Sequence, residues 1–186
     1  LVLKILTAFR PGGLYTEEHI DRLYKQVKHA SGLDLECVLG EYPHWWCKMT
    51  AFRTQGPVLY LDLDTTIVDD LTPLIEIAES ERFVTLRDFN YPDRVGSGVM
   101  SWNGDMSHIH SEFAINPNVN MNTFPGGDQD FIGEGHHSPE YWQDLLPNQI
   151  QSYKLHVKRT GIHPDCRVIA FHGKPKPWDI NELVKE

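Results

Sequence analysis

The stretch Val58-Leu59-Tyr60-Leu61-Asp62-Leu63-Asp64 constrains this chain more than any other, because an apolar run ends in two carboxylates one residue apart. Such a run reads as a buried strand of an α/β sheet. The period of two along a strand puts Asp62 and Asp64 on one face and Leu63 on the other, so the carboxyl groups converge where the strand stops. In open α/β sheets that carboxyl end is where ligands bind. Like charges this close repel unless a cation lies between them, and oxygen-rich sites suit Mg²⁺ or Mn²⁺. The motif predicts a divalent-metal site. Its competing reading is an acidic pair that caps a helix or faces water.

Around this run, apolar and helical patterns alternate. Residues 2–8 read as a strand, Arg10-Pro11-Gly12-Gly13 as a loop, and Thr16 as the cap of a helix to about Ala30. Residues 34–39 predict a second strand, and residues 45–53 a short helix leading through Gly56-Pro57 into the strand over 58–64. A helix is expected over 70–78, with Asp69-Asp70 at its start, then strands at 83–86, 98–102 and 167–171, with loops dominating the second half. This alternation predicts a parallel, doubly wound α/β sheet. The length of 186 residues fits a single domain over 1–186, with 40% hydrophobic residues to fill a core.

Charge and cysteine content exclude several classes. A net charge of −9 with no block of basic residues disfavours attachment to nucleic acid or anionic membrane. Cys37, Cys47 and Cys166 are odd in number and widely spaced, which fits neither a disulfide framework nor a zinc ribbon and favours a reducing, cytoplasmic setting. There is no apolar run long enough for membrane insertion and no recognisable leader. His108-Ile109-His110 and His136-His137 suggest zinc, although without cysteine partners the weightier reading is ordinary surface or core histidine.

Two further clusters extend the first. The apolar strand Val168-Ile169-Ala170-Phe171 ends at His172, and if it runs parallel to the strand over 58–64, both ends open on one crevice. A neutral imidazole is a suitable third ligand beside Asp62 and Asp64, and the set leaves positions open for substrate oxygens. Gly173, Lys174 and Lys176 follow directly, with prolines that stiffen the loop, and form a candidate cradle for phosphate. Gly126-Gly127-Asp128-Gln129-Asp130 opens a helix and supplies planar carboxylates and an amide that suit vicinal sugar hydroxyls; Asp128 alternatively serves only as the helix cap. The five tryptophans, Trp45 among them, read either as sugar-stacking platforms or as core anchors.

Taken in order, Leu61-Asp62-Leu63-Asp64, Ser97-Gly98-Val99-Met100, Asp128-Gln129-Asp130 and His172-Gly173 with Lys176-Pro177-Trp178 resemble the GT-A nucleotide-sugar transferases, most closely glycosyltransferase family 8. Trp45-Trp46-Cys47-Lys48 is similar to the Trp-Trp-x-Lys helix of a bacterial and phage branch. The resemblance implies a single Rossmann-like GT-A domain with a mostly parallel central sheet flanked by helices. It implies Asp62, Asp64 and His172 as ligands of Mn²⁺ (or Mg²⁺), and Gly173 and Lys176 as contacts to the diphosphate of a UDP-sugar. It further implies Lys48 beside the metal carboxylates, Leu6 to Arg10 along the uracil and ribose, and Asp128 and Gln129 at the donor sugar. Lys176 follows His172 two positions sooner than in the family, and Gly96 replaces a common Asn.

The expected activity is a Mn-dependent hexosyl transfer with retention of configuration. Gln129 is a poor nucleophile, which favours same-face attack; Asp128 or Asp130 as a covalent nucleophile is the variant. The acceptor is left open among a glycan, a protein and a modified DNA base. The alternatives are a nucleotidyltransferase that forms sugar nucleotides, for which Ala8 to Gly13 is a faint signature, and a degenerate nucleotide- or sugar-binding module without turnover.

Overall fold

A computed structural model describes residues 2–80, 82–135 and 138–180. Strand β1 (Lys4–Phe9) is buried from its second residue onward, and leads through a Gly-rich loop to helix α1 (Glu17–Ser31). Thr16 begins the helix, and its N–H donates to His19 Nδ1 at 2.8 Å. Gly32 ends it at φ 71°, where its N–H reaches the Lys28 carbonyl. Leu23 and Val27, four apart, form the buried seam of this helix. β2 (Leu35–Leu39) follows, and then residues His44–Arg53 form a 3₁₀ helix where a short helix was expected.

β3 (Val58–Leu61) is buried at every position. It is shorter than its sequence pattern predicts: the chain turns at Asp62, whose carbonyl accepts the Thr65 N–H at 3.0 Å, and resumes as β4 (Thr65–Ile67). Asp70 then accepts the Thr72 N–H and hydroxyl and so starts α2 (Thr72–Ala78). β5 (Val84–Arg87) and β6 (Val95–Trp102) come next. The second half, expected to be mainly loop, carries helices α3 (Ser107–Ile115), α4 (Pro117–Thr123), α5 (Asp128–Glu134) and α6 (Trp142–Leu145), interleaved with β7 (Glu140–Tyr141), β8 (Ile150–Ser152) and β9 (Val168–Ala170). These helices are short and rich in Ser, His and Asn, so their apolar period covers too few turns to stand out: in α3 only Ile109, His110 and Phe113 are buried. His110 thus belongs to a packed helix face, and His136 and His137 lie outside the described residues.

The main sheet has six strands in the order β2-β1-β3-β6-β5-β7. β1 pairs in parallel with β2 and β3, and β5 with β7, whereas β6 runs antiparallel to both β3 and β5. The sheet is mostly parallel, as expected, with β6 as its antiparallel exception. The reason is the short loop 88–94 joining β5 to β6, since a parallel pair needs a long crossover and a tight connection permits only a hairpin. Alternate side chains fill two cores: Ile5, Leu59, Leu61 and Val99 pack towards α1 and α2, and Leu6, Val58, Tyr60 and Met100 towards the 3₁₀ helix, α3 and α5. Coverage of both faces explains why β3 is buried at every position and why β1 and β6 are buried along nearly their whole length.

β9 does not join this sheet. It pairs antiparallel with β4 and parallel with β8 in a separate three-stranded sheet. Thr65 opposes Ala170, so the residues just before β4 and just after β9 leave the ladder at the same end. Asp64 and His172 are brought to one place by this antiparallel pairing and not by the parallel alignment expected from sequence. Among the described residues, no helix is long and apolar enough to cross a membrane.

Three imidazoles are built into the fold as neutral groups. Burial holds His19, His110 and His156 below the ordinary value of 6.5, and His19 Nδ1 and His156 Nδ1 accept the backbone N–H of Thr16 and Ser152. The unfolded chain takes up protons on these residues before the folded chain does, so their contribution is complete above pH 6.5 and declines as pH falls below it. The contribution of these histidines to the melting temperature is expected to be constant above pH 7 and to fall as pH drops below 6.5. His19→Gln, which keeps an acceptor for the Thr16 N–H, makes that fall shallower; thermal melts across the pH range check this.

Candidate active site

A cleft of about 300 Å³ opens at the carboxyl end of β3. Its floor is made by Asp62 and Asp64 on the turn after β3. The 3₁₀ helix supplies one wall through Trp45 and Lys48, α5 another through Asp128 and Gln129, and the segment after β9 a third through His172 and Lys176. In a 3₁₀ helix residues three apart lie on one face, which is how Trp45 and Lys48 both reach the cleft while Trp46 is sunk in the core against Phe113.

Lys48 is only 3% exposed. Its ammonium donates to Asp62 Oδ2 at 2.8 Å and to Ser97 Oγ at 3.0 Å, and lies 3.2 Å from Asp128 Oδ2. The Ser97 hydroxyl in turn donates to Asp128, and Tyr60 donates to Asp62 Oδ1 at 2.9 Å. Burial disfavours the charged form of Lys48, but the Asp128 and Asp62 carboxylates outweigh it and hold its pKa above the ordinary value. Asp62 is pushed up to about 6 by burial, against the pull of Lys48 and with the help of Asp64 and Asp128.

Asp64 has a second cation. Lys176 donates to its Oδ2, and Tyr15 donates to the same oxygen at 3.0 Å. Lys176 also donates to the Tyr15 hydroxyl, and burial followed by the Asp64 charge keeps that phenol protonated. From α1, Arg22 donates to the carbonyls of Leu63 and Thr65 at 2.7 and 2.6 Å, which fixes the turn between the two carboxylates. His172 lies on the opposite side, its Nε2 2.7 Å from Ser152 Oγ and its ring stacked on Phe89. Burial and the nearby Lys154 hold its pKa below the ordinary value, so the ring is neutral at pH 7.

In kind, two carboxylates and a neutral imidazole facing one cleft suit a hard divalent cation. In geometry, no group of three His, Cys, Asp or Glu side chains converges among the described residues. Each carboxylate is instead answered by a lysine, Asp62 by Lys48 and Asp64 by Lys176.

The structure gathers Asp62, Asp64, His172, Lys48, Lys176, Asp128 and Gln129 around the cleft, and leaves four candidates outside its walls. Asp130 faces away: it accepts the Gly126 N–H at 2.9 Å and lies 4.0 Å from Arg94, which is the role of a helix-start residue. Arg10 is exposed and donates to the Glu41 carbonyl. Gly173 and Lys174 are exposed beyond the rim. Nor is Asp128 the helix cap, a position held by Gly127. Tyr60 escaped the sequence reading although it shares the period-two face of Asp62, which was the available signal. Tyr15, Arg22 and Ser152 carried none, because only the packing of α1 and β8 brings them to the site.

No protein-family model and no curated protein matches the chain. Solved structures do. The galactosyltransferase LgtC in complex with donor and acceptor sugar analogues superposes with a TM-score of 0.64 at 12% identity, over 97% of this chain and 90% of LgtC. A glycosyltransferase involved in glycosylation of the major capsid of PBCV-1 gives 0.58 at 17% identity, over 91% of this chain and 93% of that one. The glycosyltransferase GlyE of Streptococcus pneumoniae TIGR4 gives 0.59 at 14% identity over 95% of this chain, which spans 57% of GlyE. The fold is that of the GT-A glycosyltransferases resembling family 8.

Lys48→Met removes the ammonium and leaves Asp62 and Asp128 facing each other. The variant is expected to lose about 3–5 kcal/mol of stability, the usual result of breaking a buried pair from one side. Urea unfolding at pH 7 measures the loss, and the deficit relative to the parent protein shrinks as pH falls below about 6, where Asp62 takes up a proton.

Proposed function

We propose that this chain is a metal-dependent glycosyltransferase that moves a hexose from a UDP-sugar to an acceptor hydroxyl with retention of configuration. The observation that carries the reading is that Asp62, Asp64, a neutral His172, Lys176, Asp128 and Gln129 line one cleft of a GT-A fold. A donor with a diphosphate needs a cation beside its phosphates and hydroxyl-binding groups near its sugar; Lys176 supports the first and Asp128 with Gln129 the second.

In this reading Asp62, Asp64 and His172 hold Mn²⁺ or Mg²⁺, which when bound supplies Lewis-acid stabilisation of the departing diphosphate. Lys176, at the mouth side of Asp64, neutralises charge that builds on the leaving oxygens as the bond to the anomeric carbon breaks. Lys48 holds Asp128 and Asp62 in register, and Asp128 and Gln129 bind the sugar hydroxyls so that the anomeric carbon faces the opening. Gln129 donates to Asp88 at 3.3 Å, which orients its amide. An uncharged amide at that place makes a covalent intermediate unfavourable, so the acceptor attacks from the face of departure and its proton passes to the leaving phosphate oxygen. The self-neutralised lysine–carboxylate pairs are the feature that instead favours a binding module without turnover.

Thermal melts with UDP and with UDP-glucose or UDP-galactose, each with and without Mn²⁺, distinguish the readings. At a ligand concentration of about 100 Kd the linkage is about 2.7 kcal/mol, or a rise of about 5–10 °C for a domain of this size. The rise is expected to need both UDP and Mn²⁺ and to vanish in Asp64→Asn. Binding without release of UDP on prolonged incubation favours the module, and no shift at all in folded protein overturns the donor site.

A further inference from the structure

Trp45 stands out among the described residues as a large aromatic with more than half of its surface exposed, 55%, on the wall of the cleft. Its neighbour Trp46 is 4% exposed, so the 3₁₀ helix is able to bury an indole and presents this one to solvent. The ring is held in place. Gly127, at φ 86°, lies so close that an added Cβ would fall 2.4 Å from Trp45 Nε1 and 2.7 Å from Cδ1. The turn that launches α5 is therefore seated against the edge of the indole, and only glycine permits both the left-handed backbone and the approach. On the other side His44 has φ 54°, a conformation unfavourable for a residue with a side chain, and its ring lies 5.9 Å from that of Trp45. Strained backbone of this kind is concentrated at ligand sites.

What remains open is a flat apolar face next to the carboxylate of Asp128 and the amide of Gln129. That pairing of an aromatic plate with hydroxyl-binding groups matches the two chemistries of a pyranose, whose C–H face is apolar and whose edge is polar. The position of the plate says which pyranose. Trp45 precedes Lys48 by one turn, a rise of about 6 Å at ~2 Å per residue. Lys48 and Asp128 are 3% and 4% exposed against 55% for Trp45, so the indole lies nearer the mouth than the groups assigned to the donor sugar. A nucleobase would also stack on an indole, but the −9 net charge and the carboxylate beside it oppose a polyanion.

We infer that Trp45 is the stacking platform for the acceptor, and that the acceptor is a glycan whose terminal pyranose lies on the indole with its hydroxyl directed at the donor. This rests on the donor reading above and adds the acceptor class to it. The test uses the full chain with UDP and Mn²⁺ and, as probes, methyl β-D-glucopyranoside, methyl β-D-galactopyranoside and a short single-stranded oligodeoxynucleotide. Saturation-transfer NMR is expected to mark ring C–H protons of at least one glycoside. Trp45→Ala is expected to weaken that binding about three- to tenfold, the worth of one aromatic stacking contact, while Trp45→Phe retains most of it. The UDP-dependent melting shift should be the same in all three proteins, which shows that the variants are folded and bind donor nucleotide. Glycoside binding that is unchanged in Trp45→Ala, or binding of the oligonucleotide and of no glycoside, overturns the platform while leaving the donor site intact. Loss of the UDP shift in the parent protein overturns the donor reading and this inference with it.

Discussion

The Lys48 ammonium is the contact on which the rest of the site depends, because it ties four segments of the chain to one point. Lys48 comes from the 3₁₀ helix, Asp62 from the end of β3, Ser97 from β6 and Asp128 from the start of α5. A buried ammonium is tolerated only where its hydrogen bonds are filled by charged or polar acceptors, so these four segments cannot drift apart independently. Two carboxylates around one ammonium leave an excess negative charge facing the opening.

A second, lighter arrangement closes the other side. Tyr15, at the entry to α1, and Lys176, near the end of the described chain, both meet Asp64. Trp178 secures this segment by lying on His19 at a ring separation of 3.7 Å and beside Arg22, whose guanidinium also holds the Asp62–Asp64 turn. The same helix therefore positions the turn between the acidic residues and the segment that brings the lysine. Lys176 is partly exposed and Lys48 is not, which divides them into a cation at the surface of the cleft and one fixed within the scaffold.

Much of the fold was legible because the strands β1, β3 and β6 are covered on both faces and are therefore largely apolar. The direction of β6 was not, since an apolar strand reads the same in either sense and only the shortness of the 88–94 loop decides it. The acidic pair was legible as a site, although the two carboxylates meet through a turn and not along a continued strand. His172 was placed at the right cleft by an argument from parallel strands, whereas the pairing of Thr65 with Ala170 in a different sheet is what brings it there. Asp130 shows the limit of local pattern: in Asp128-Gln129-Asp130 one carboxylate is buried on Lys48, and the other, two residues on, has turned with the helix to its own backbone.

By itself the sequence determined the elements that answer to local rules: apolar strands, a capped first helix, and acidic, amide and basic residues gathered near the ends of strands. Periodicity and hydrophobic burial act over a few residues, and their signals survive in one dimension. The tertiary structure alone decided which charges meet. Lys48 finds Asp128 across 80 positions, Lys176 finds Asp64, and Trp45 is left uncovered while Trp46 is buried, because those outcomes follow from how helices seat on the sheet and from the high cost of burying a charge without its partner.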